Sequence, residues 1–168
     1  KHWSPFEMVS ACLEIETTRD IAHQIVRHRS FSFQEFSQRY ANPKEMGDMF
    51  EYAEARLQDT KNRQNSIPTE NVQLIHEWTD VQDEVIAATK KAYDWAIENG
   101  IAKEQARKVL PEGLTKTRLY MNGTIRSWIH YIDLRGANGT QLEHMQIAHA
   151  CADAIAKIFP NITNYTAE

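Results

Sequence analysis

Apolar and polar residues alternate from Leu13 to Glu16, so residues 9–16 predict a half-buried strand. Thr17 or Thr18 then offers a helix cap, with Asp20 suited to the first turn. Ile21, Ala22, Ile25 and Val26 share one apolar face, which predicts a helix running to about Arg29. Residues 41–68 are polar and broken by Asn42-Pro43, Gly47 and Pro68; they predict a long surface loop around a short helix at 48–58. Val72, Ile75, Trp78, Val81, Val85, Ala88, Ala92 and Ala96 recur every three or four positions, the stripe of a long helix over 69–99 that Gly100 ends. The tryptophans and Tyr93 are expected in the core or between subunits, and His76 at the surface. A short helix over 103–110 is stopped by Pro111, and residues 114–122, rich in Thr and Tyr, predict a strand. Helices are predicted over 124–134 and 141–159, the second ending at Pro160. No repeats or low-complexity tracts occur.

Composition narrows this picture. The chain has 168 residues, one domain's worth, and a net charge of −4, which argues against a general nucleic-acid binder. No apolar run approaches the ~20 residues of a membrane span, and no signal peptide opens the chain, so a soluble, cytoplasmic protein is expected. Cys12 and Cys151 lack metal or redox spacing and read as two buried thiols in a reducing compartment. Asn161-Ile162-Thr163 fits a glycosylation sequon that reads as chance in such a chain. The distribution of charge says more than its total. Residues 44–104 hold thirteen acids against seven Lys and Arg, whereas 17–40 and 114–135 are cation-rich, with Asp20, Glu35 and Asp133 as their only acids. Two basic segments on an acidic body point to a local anion site.

The densest chemistry lies in Arg27-His28-Arg29 and the residues after it. No carboxylate falls between Ile21 and Gln34 to neutralise these cations. A solvated last helical turn is the plain alternative. Ser30, Ser32 and Ser37 add hydroxyls, Phe31, Phe33 and Phe36 add flat apolar walls, and Arg39 adds another donor fork. A phosphorylated, ring-bearing ligand needs that combination. Core packing would account for the phenylalanines but not for the cations. Arg126 and His130, four apart, share a helix face. No Gly-rich phosphate loop, H-E-x-x-H, C-x-x-C or G-x-S-x-G is present, so no metal is expected, and an enzyme here would rely on arginines and a borrowed cofactor.

Arg27-His28-Arg29, seven residues, then Ser37 resembles the signature of the flavin-dependent thymidylate synthases. Flanking segments extend the likeness: "HWSPFE" at 2–7, Gln24 three residues before the signature, "QRY" at 38–40, "ARKVLP" at 106–111, "IRSWIHYIDLR" at 125–135 and "QLE" at 141–143. The middle, from about 44 to 100, matches only in length and helicity. The resemblance implies an α+β fold, with an antiparallel sheet flanked by helices including one long helix. It also implies a homotetramer whose active sites are shared between subunits. The implied reaction is reductive methylation of dUMP to dTMP, with methylenetetrahydrofolate as carbon donor and NADPH-reduced FAD as hydride source. No cysteine nucleophile is used, in keeping with two cysteines outside every matched motif.

The resemblance further implies residue roles. Ser4, Arg27, His28, Arg29 and Glu35 would bind FAD, with a second FAD stretch at Thr124, Ile125, Arg126 and His130. Gln24, Ile25, Val26, Arg27 and Arg107 would contact dUMP, and Glu35, Phe36, Ser37, Gln38 and Arg39 would cradle it near its phosphate. Glu35 has the simpler reading of an i,i+4 ion pair with Arg39. Ser37 has no base beside it in sequence, which favours phosphate binding over nucleophilic attack. Arg135 would be catalytic: an adjacent guanidinium favours the N3-deprotonated uracil and raises electron density at C5. His2 matches a position near the flavin and folate entrance, or is simply a terminal histidine.

Some positions depart from the pattern. Family members usually begin several dozen residues earlier, so residues 1–168 read as a single domain lacking the family's N-terminal strand and helix. Thr124 stands where many relatives have asparagine, Gly139 and Met8 where many have histidine. Two other readings stay open. One is a catalytically silent nucleotide-binding protein. The other is a single-stranded RNA or DNA binder whose Phe31, Phe33 and Phe36 stack bases, against which the acidic total and Glu35 argue.

Overall fold

The two longest strands, β1 (Ser10–Thr18) and β5 (Lys116–Thr124), pair antiparallel along their whole length, from Ser10 opposite Thr124 to Thr18 opposite Lys116. They belong to a computed structural model that describes residues 2–164, apart from the side chains at 45, 46 and 163. A third strand, β2 (Ser32–Glu35), joins the other edge of β5, giving the order β1-β5-β2. Alternation sorts the faces, as a pleated strand requires. Ile15, Thr17, Thr117, Leu119 and Met121 point inward and are buried. Outward, Arg118 pairs with Glu16, and the Tyr120 hydroxyl donates to Glu14 Oε2 at 2.6 Å.

Three helices cover the inner face: α1 (Arg19–Ile25), α4 (Ile125–Arg135) and α5 (Leu142–Ala156). Their apolar stripes meet the sheet through Ile21, Ile25, Ile125, Trp128, Ile129 and Ala148. Thr124 starts α4 by accepting the Ser127 N–H at 3.2 Å, and the Trp128 indole donates to Ala11 O at 3.0 Å. At Gly123 a Cβ would lie 2.5 Å from the Phe31 ring. The missing side chain lets Phe31 cross β5 and meet Trp128 edge-on, ring centroids 4.9 Å apart.

The long helix is α2 (Val72–Glu98), capped by the Asn71 side chain and ended at Gly100, whose φ is +75°. It packs with the short α3 (Lys103–Ala106) and a 3-10 turn at Arg107–Val109 around a second core containing Met49, Phe50, Ile86, Tyr93 and Leu110. The architecture is α+β, with small antiparallel sheets and one long helix.

The fold corrects several expectations. α1 stops at Ile25, not Arg29: His28 N–H bonds back to Ile25 O at 3.1 Å, and the chain turns so that Phe31 can reach the core and β2 can pair. Arg27-His28-Arg29 is therefore a turn between helix and strand. The expected helix at 48–58 is absent. Met49 and Phe50 are both buried, and the backbone bonds sideways, Glu51 N to Leu114 O and Lys116 N to Met49 O. Further on, β3 (Arg56–Gln58) pairs with β4 (Ser66–Pro68) in a hairpin whose turn begins at Asp59, its carboxylate accepting N–H groups from Lys61 and Asn62. Cys151 is buried as expected but Cys12 is exposed, because it occupies an outward position of β1. On α2, Tyr93 is core whereas Trp78 and Trp95 face outward. Among the described residues no helix is long and apolar enough to cross a membrane.

Candidate functional site

The C-terminal end of α4 meets the α1–β2 turn. Arg135 Nε donates to His28 Nε2 at 2.9 Å, joining residues 107 apart in sequence. His28 must therefore carry its own proton on Nδ1. Burial, and then the charge of Arg135, hold its pKa below the ordinary imidazole value. Among the described residues no carboxylate pairs with Arg135, so a neutral imidazole orients a guanidinium whose charge stays uncompensated. Arg27 and Arg29 are exposed on the same turn, and neither has a partner among the described residues.

Beneath them lies a polar chain. The Gln24 amide nitrogen donates to Gln141 Oε1 at 2.7 Å, and Gln24 Oε1 lies 3.3 Å from His144 Nδ1. His144 Nε2 is 3.1 Å from the Tyr131 hydroxyl, and the His28 ring stands edge-on to Tyr131 at 5.0 Å. His144 is fully buried, which lowers its pKa to about 4, aided by the charges of Arg135 and His28.

A second group forms at the opposite end of α4. Ser4 lies in a 3-10 turn (Ser4–Glu7), and Trp3 just before it stacks on His130 at 5.4 Å. Arg126 lies over the same indole, 6.0 Å from the ring, and pairs with Glu7 at 2.9 Å. The shared face of Arg126 and His130 is thus a wall against Trp3. Ile125 and Ile25 are core residues, and the Ile125 N–H is taken by Val9 O at 2.8 Å, so neither side chain is free for a ligand. Val26 is exposed.

A third group follows β2. Glu35 binds Arg19 at 3.2 Å and accepts the Thr117 hydroxyl at 2.9 Å, so the simple pair with Arg39 does not form. Arg39 instead approaches Glu104 at 3.8 Å, and Lys103 Nζ donates to Tyr40 O, which leans this segment toward Arg107 on the α3 side. Arg107 is half-buried with no side-chain partner among the described residues. Gln38 is buried with its amide nitrogen unpartnered. No base bonds to the Ser37 hydroxyl among the described residues. Phe36 is half-buried, while Phe31 and Phe33 pack on the core, which removes two of the three platforms that base stacking would use.

His144, Tyr131, Trp3, Glu7 and Arg19 were missed from sequence. Only His144 left a signal: it heads the buried stripe His144, Ala148, Cys151, Ile155, where a polar residue is out of place. Among the described residues no cluster of His, Cys, Asp or Glu suits a metal ion. Burial lifts the Cys151 thiol to about 12, which makes it inert.

The chain is a small α+β fold in which, among the described residues, two unpartnered arginines lie on the same turn as an imidazole that holds a guanidinium. The family described as thymidylate synthase complementing protein matches residues 1–161, and the chain belongs to that family. It is 51% identical over 162 residues to a probable flavin-dependent thymidylate synthase of Paramecium bursaria Chlorella virus 1, covering 96% of this chain and 73% of the relative. It is 50% identical over 161 residues to a flavin-dependent thymidylate synthase of Synechocystis sp., with the same shares covered. A third such enzyme, from Kosmotoga olearia, is 35% identical over 159 residues, covering 94% of this chain and 66% of its own.

Proposed function

We propose that this chain is a flavin-dependent thymidylate synthase, a cytoplasmic methyltransferase that converts dUMP to dTMP as a single-domain subunit of a homotetramer. Methylenetetrahydrofolate is the carbon donor and NADPH the reductant. FAD, when bound, supplies the hydride. The observation that carries the reading is Arg135, a charge-uncompensated guanidinium held at 2.9 Å by neutral His28. Such a group stabilises a uracil ring that has lost its N3 proton, and arginine keeps its own charge throughout.

The residues present fit a dinucleotide cofactor and a nucleotide. Arg27 and Arg29 lack partners among the described residues and suit phosphates, while Ser4, Arg126 and His130 sit around the Trp3 wall. Thr124 contributes through the turn that begins α4. Gln24, Glu35, Ser37, Gln38, Arg39 and Arg107 hold the nucleotide, and the orphaned Gln38 amide is one donor awaiting an acceptor. Arg39 and Arg107 lie on the α3 side, whereas Arg135 ends α4. An active site completed between subunits accommodates that spread.

The test is the absorbance spectrum of the purified protein on addition of FAD and then dUMP, followed by a dTMP assay with methylenetetrahydrofolate and NADPH. Flavin bands near stoichiometry that dUMP perturbs, with dTMP formed, are expected. A protein that binds no FAD and does not respond to dUMP overturns the proposal.

A further inference from the structure

We infer that His144 is a positioning residue that fixes which end of the Gln24 amide faces the nucleotide, an inference that rests on the reading of Gln24 as a dUMP contact. The geometry gives the hydrogen-bond chain one direction. Tyr131 is buried, and the only acceptor its hydroxyl meets among the described residues is His144 Nε2, at 3.1 Å. If His144 carried its proton on Nε2, the Tyr131 hydrogen would be buried without an acceptor, which is unfavourable. The proton therefore sits on Nδ1 and is donated to Gln24 Oε1 at 3.3 Å. The Gln24 nitrogen in turn donates to Gln141 Oε1 at 2.7 Å. Gln24 is left with its second N–H, a donor suited to an oxygen of the nucleotide. Burial keeps His144 neutral down to about pH 4, so the direction holds across the working range. Without His144 the amide could turn over and present a carbonyl, which repels the same oxygen.

Substitutions separate orientation from mere packing. His144→Asn places an amide nitrogen near the Nδ1 position and can still donate to Gln24. His144→Gln reaches toward Tyr131 instead. Both should fold, with His144→Asn melting at the lower temperature because the Tyr131 hydroxyl loses its acceptor. KM for dUMP, and the dUMP-induced change in flavin absorbance, should stay within about threefold of wild type in His144→Asn. They should weaken by roughly tenfold in His144→Gln, the worth of one good hydrogen bond, with kcat little changed. A second measurement needs no ligand: nitrogen NMR of the imidazoles should show His144 as the Nδ1–H tautomer. Equal KM in the two variants, or an Nε2–H tautomer, overturns the inference while leaving the enzyme reading intact. A wild-type protein that binds neither FAD nor dUMP overturns that reading, and the inference with it.

Discussion

The sheet with α1, α4 and α5 is finished as a single chain; the half built on α2 is not. In the first half Ile21, Ile25, Leu119, Met121 and Trp128 are fully buried between sheet and helices, and the outward strand face carries paired charges. In the second, α2 buries Ile86, Tyr93 and Ala96 but leaves Val72, Val81, Val85 and Trp95 exposed. A groove of about 600 Å³ between α2 and α3, lined by Ala88, Ala92, Trp95, Ile101 and Val109, is almost wholly apolar. Apolar surface of that kind marks an interface. It is where further copies would pack in the proposed tetramer, on the side where Arg39 and Arg107 lie.

The comparison breaks most visibly at tryptophan. Trp128→Ala should cost about 3–5 kcal/mol, from lost burial, the cavity left and the lost bond to Ala11. Trp95→Ala, at a side chain 58% exposed, should change subunit stability by less than about 1 kcal/mol yet weaken self-association. Denaturant unfolding of the first variant and sedimentation of the second measure the two effects. A Trp95→Ala protein that assembles as wild type would remove α2 from the proposed interface.

Acid should strike the finished half next hardest. Unfolded His144 takes up a proton near its ordinary value of 6.5, whereas the buried residue resists until about 4. Between those values the unfolded chain holds more protons, so stability falls as pH drops through that window. It is flat, as far as His144 is concerned, above and below it. The shift corresponds to about 3 kcal/mol, and His28 acts in the same direction. Urea midpoints measured from pH 7.5 down to pH 4 should show this slope. It should shrink in His144→Gln, which has no proton to take up there.

What the sequence revealed follows the same division by range of interaction. α2 was legible to within three residues at its start and one at its end, because its stripe and Gly100 are both local; its Asn71 cap was passed over, which accounts for the later start. The hairpin at 56–68 was not, because its strands of three residues carry no periodicity and depend on an Asp59 turn and on each other. The length of α1 was misjudged for a similar reason: Phe31 is drawn off the helical path by Trp128, 97 residues away in sequence, through an opening that Gly123 leaves. At the site, the residue types at 27–39 raised the expectation of an anion site. That Arg135 would be held by His28, and that Glu35 would turn to Arg19, required the fold.

Gly123→Ala tests that opening directly. Its Cβ would meet Phe31 Cδ1 at 2.5 Å, and the ring is wedged against Trp128 and Tyr131. Overpacking of this kind costs about 1–3 kcal/mol. Because Phe31 lies two residues beyond Arg29 and anchors the end of that turn, flavin affinity should fall together with the melting temperature. A loss of stability with unchanged flavin binding would separate the turn from the core beneath it.

The smallest expected effect lies in the unfinished half. Asn71 accepts the Leu74 N–H at 3.1 Å and is exposed, as are most residues of the first turns of α2. Asn71→Ala removes one cap, worth about 1 kcal/mol. That end of the helix is held by little else in the subunit: Trp78 donates to Ala53 O at 2.9 Å, but Val72 is mostly exposed and Ile75 only partly covered. In a lone subunit the loss should therefore appear as fraying, seen as faster amide exchange over the first turns of α2 with little change in global unfolding. In an assembled protein whose α2 face is covered, packing would hold the same turn and the exchange would stay slow. Comparing amide exchange in Asn71→Ala at concentrations above and below self-association thus reports whether the second half is finished by a neighbour. Equal exchange rates at both concentrations would show that the amino-terminal turns of α2 lie outside the contact.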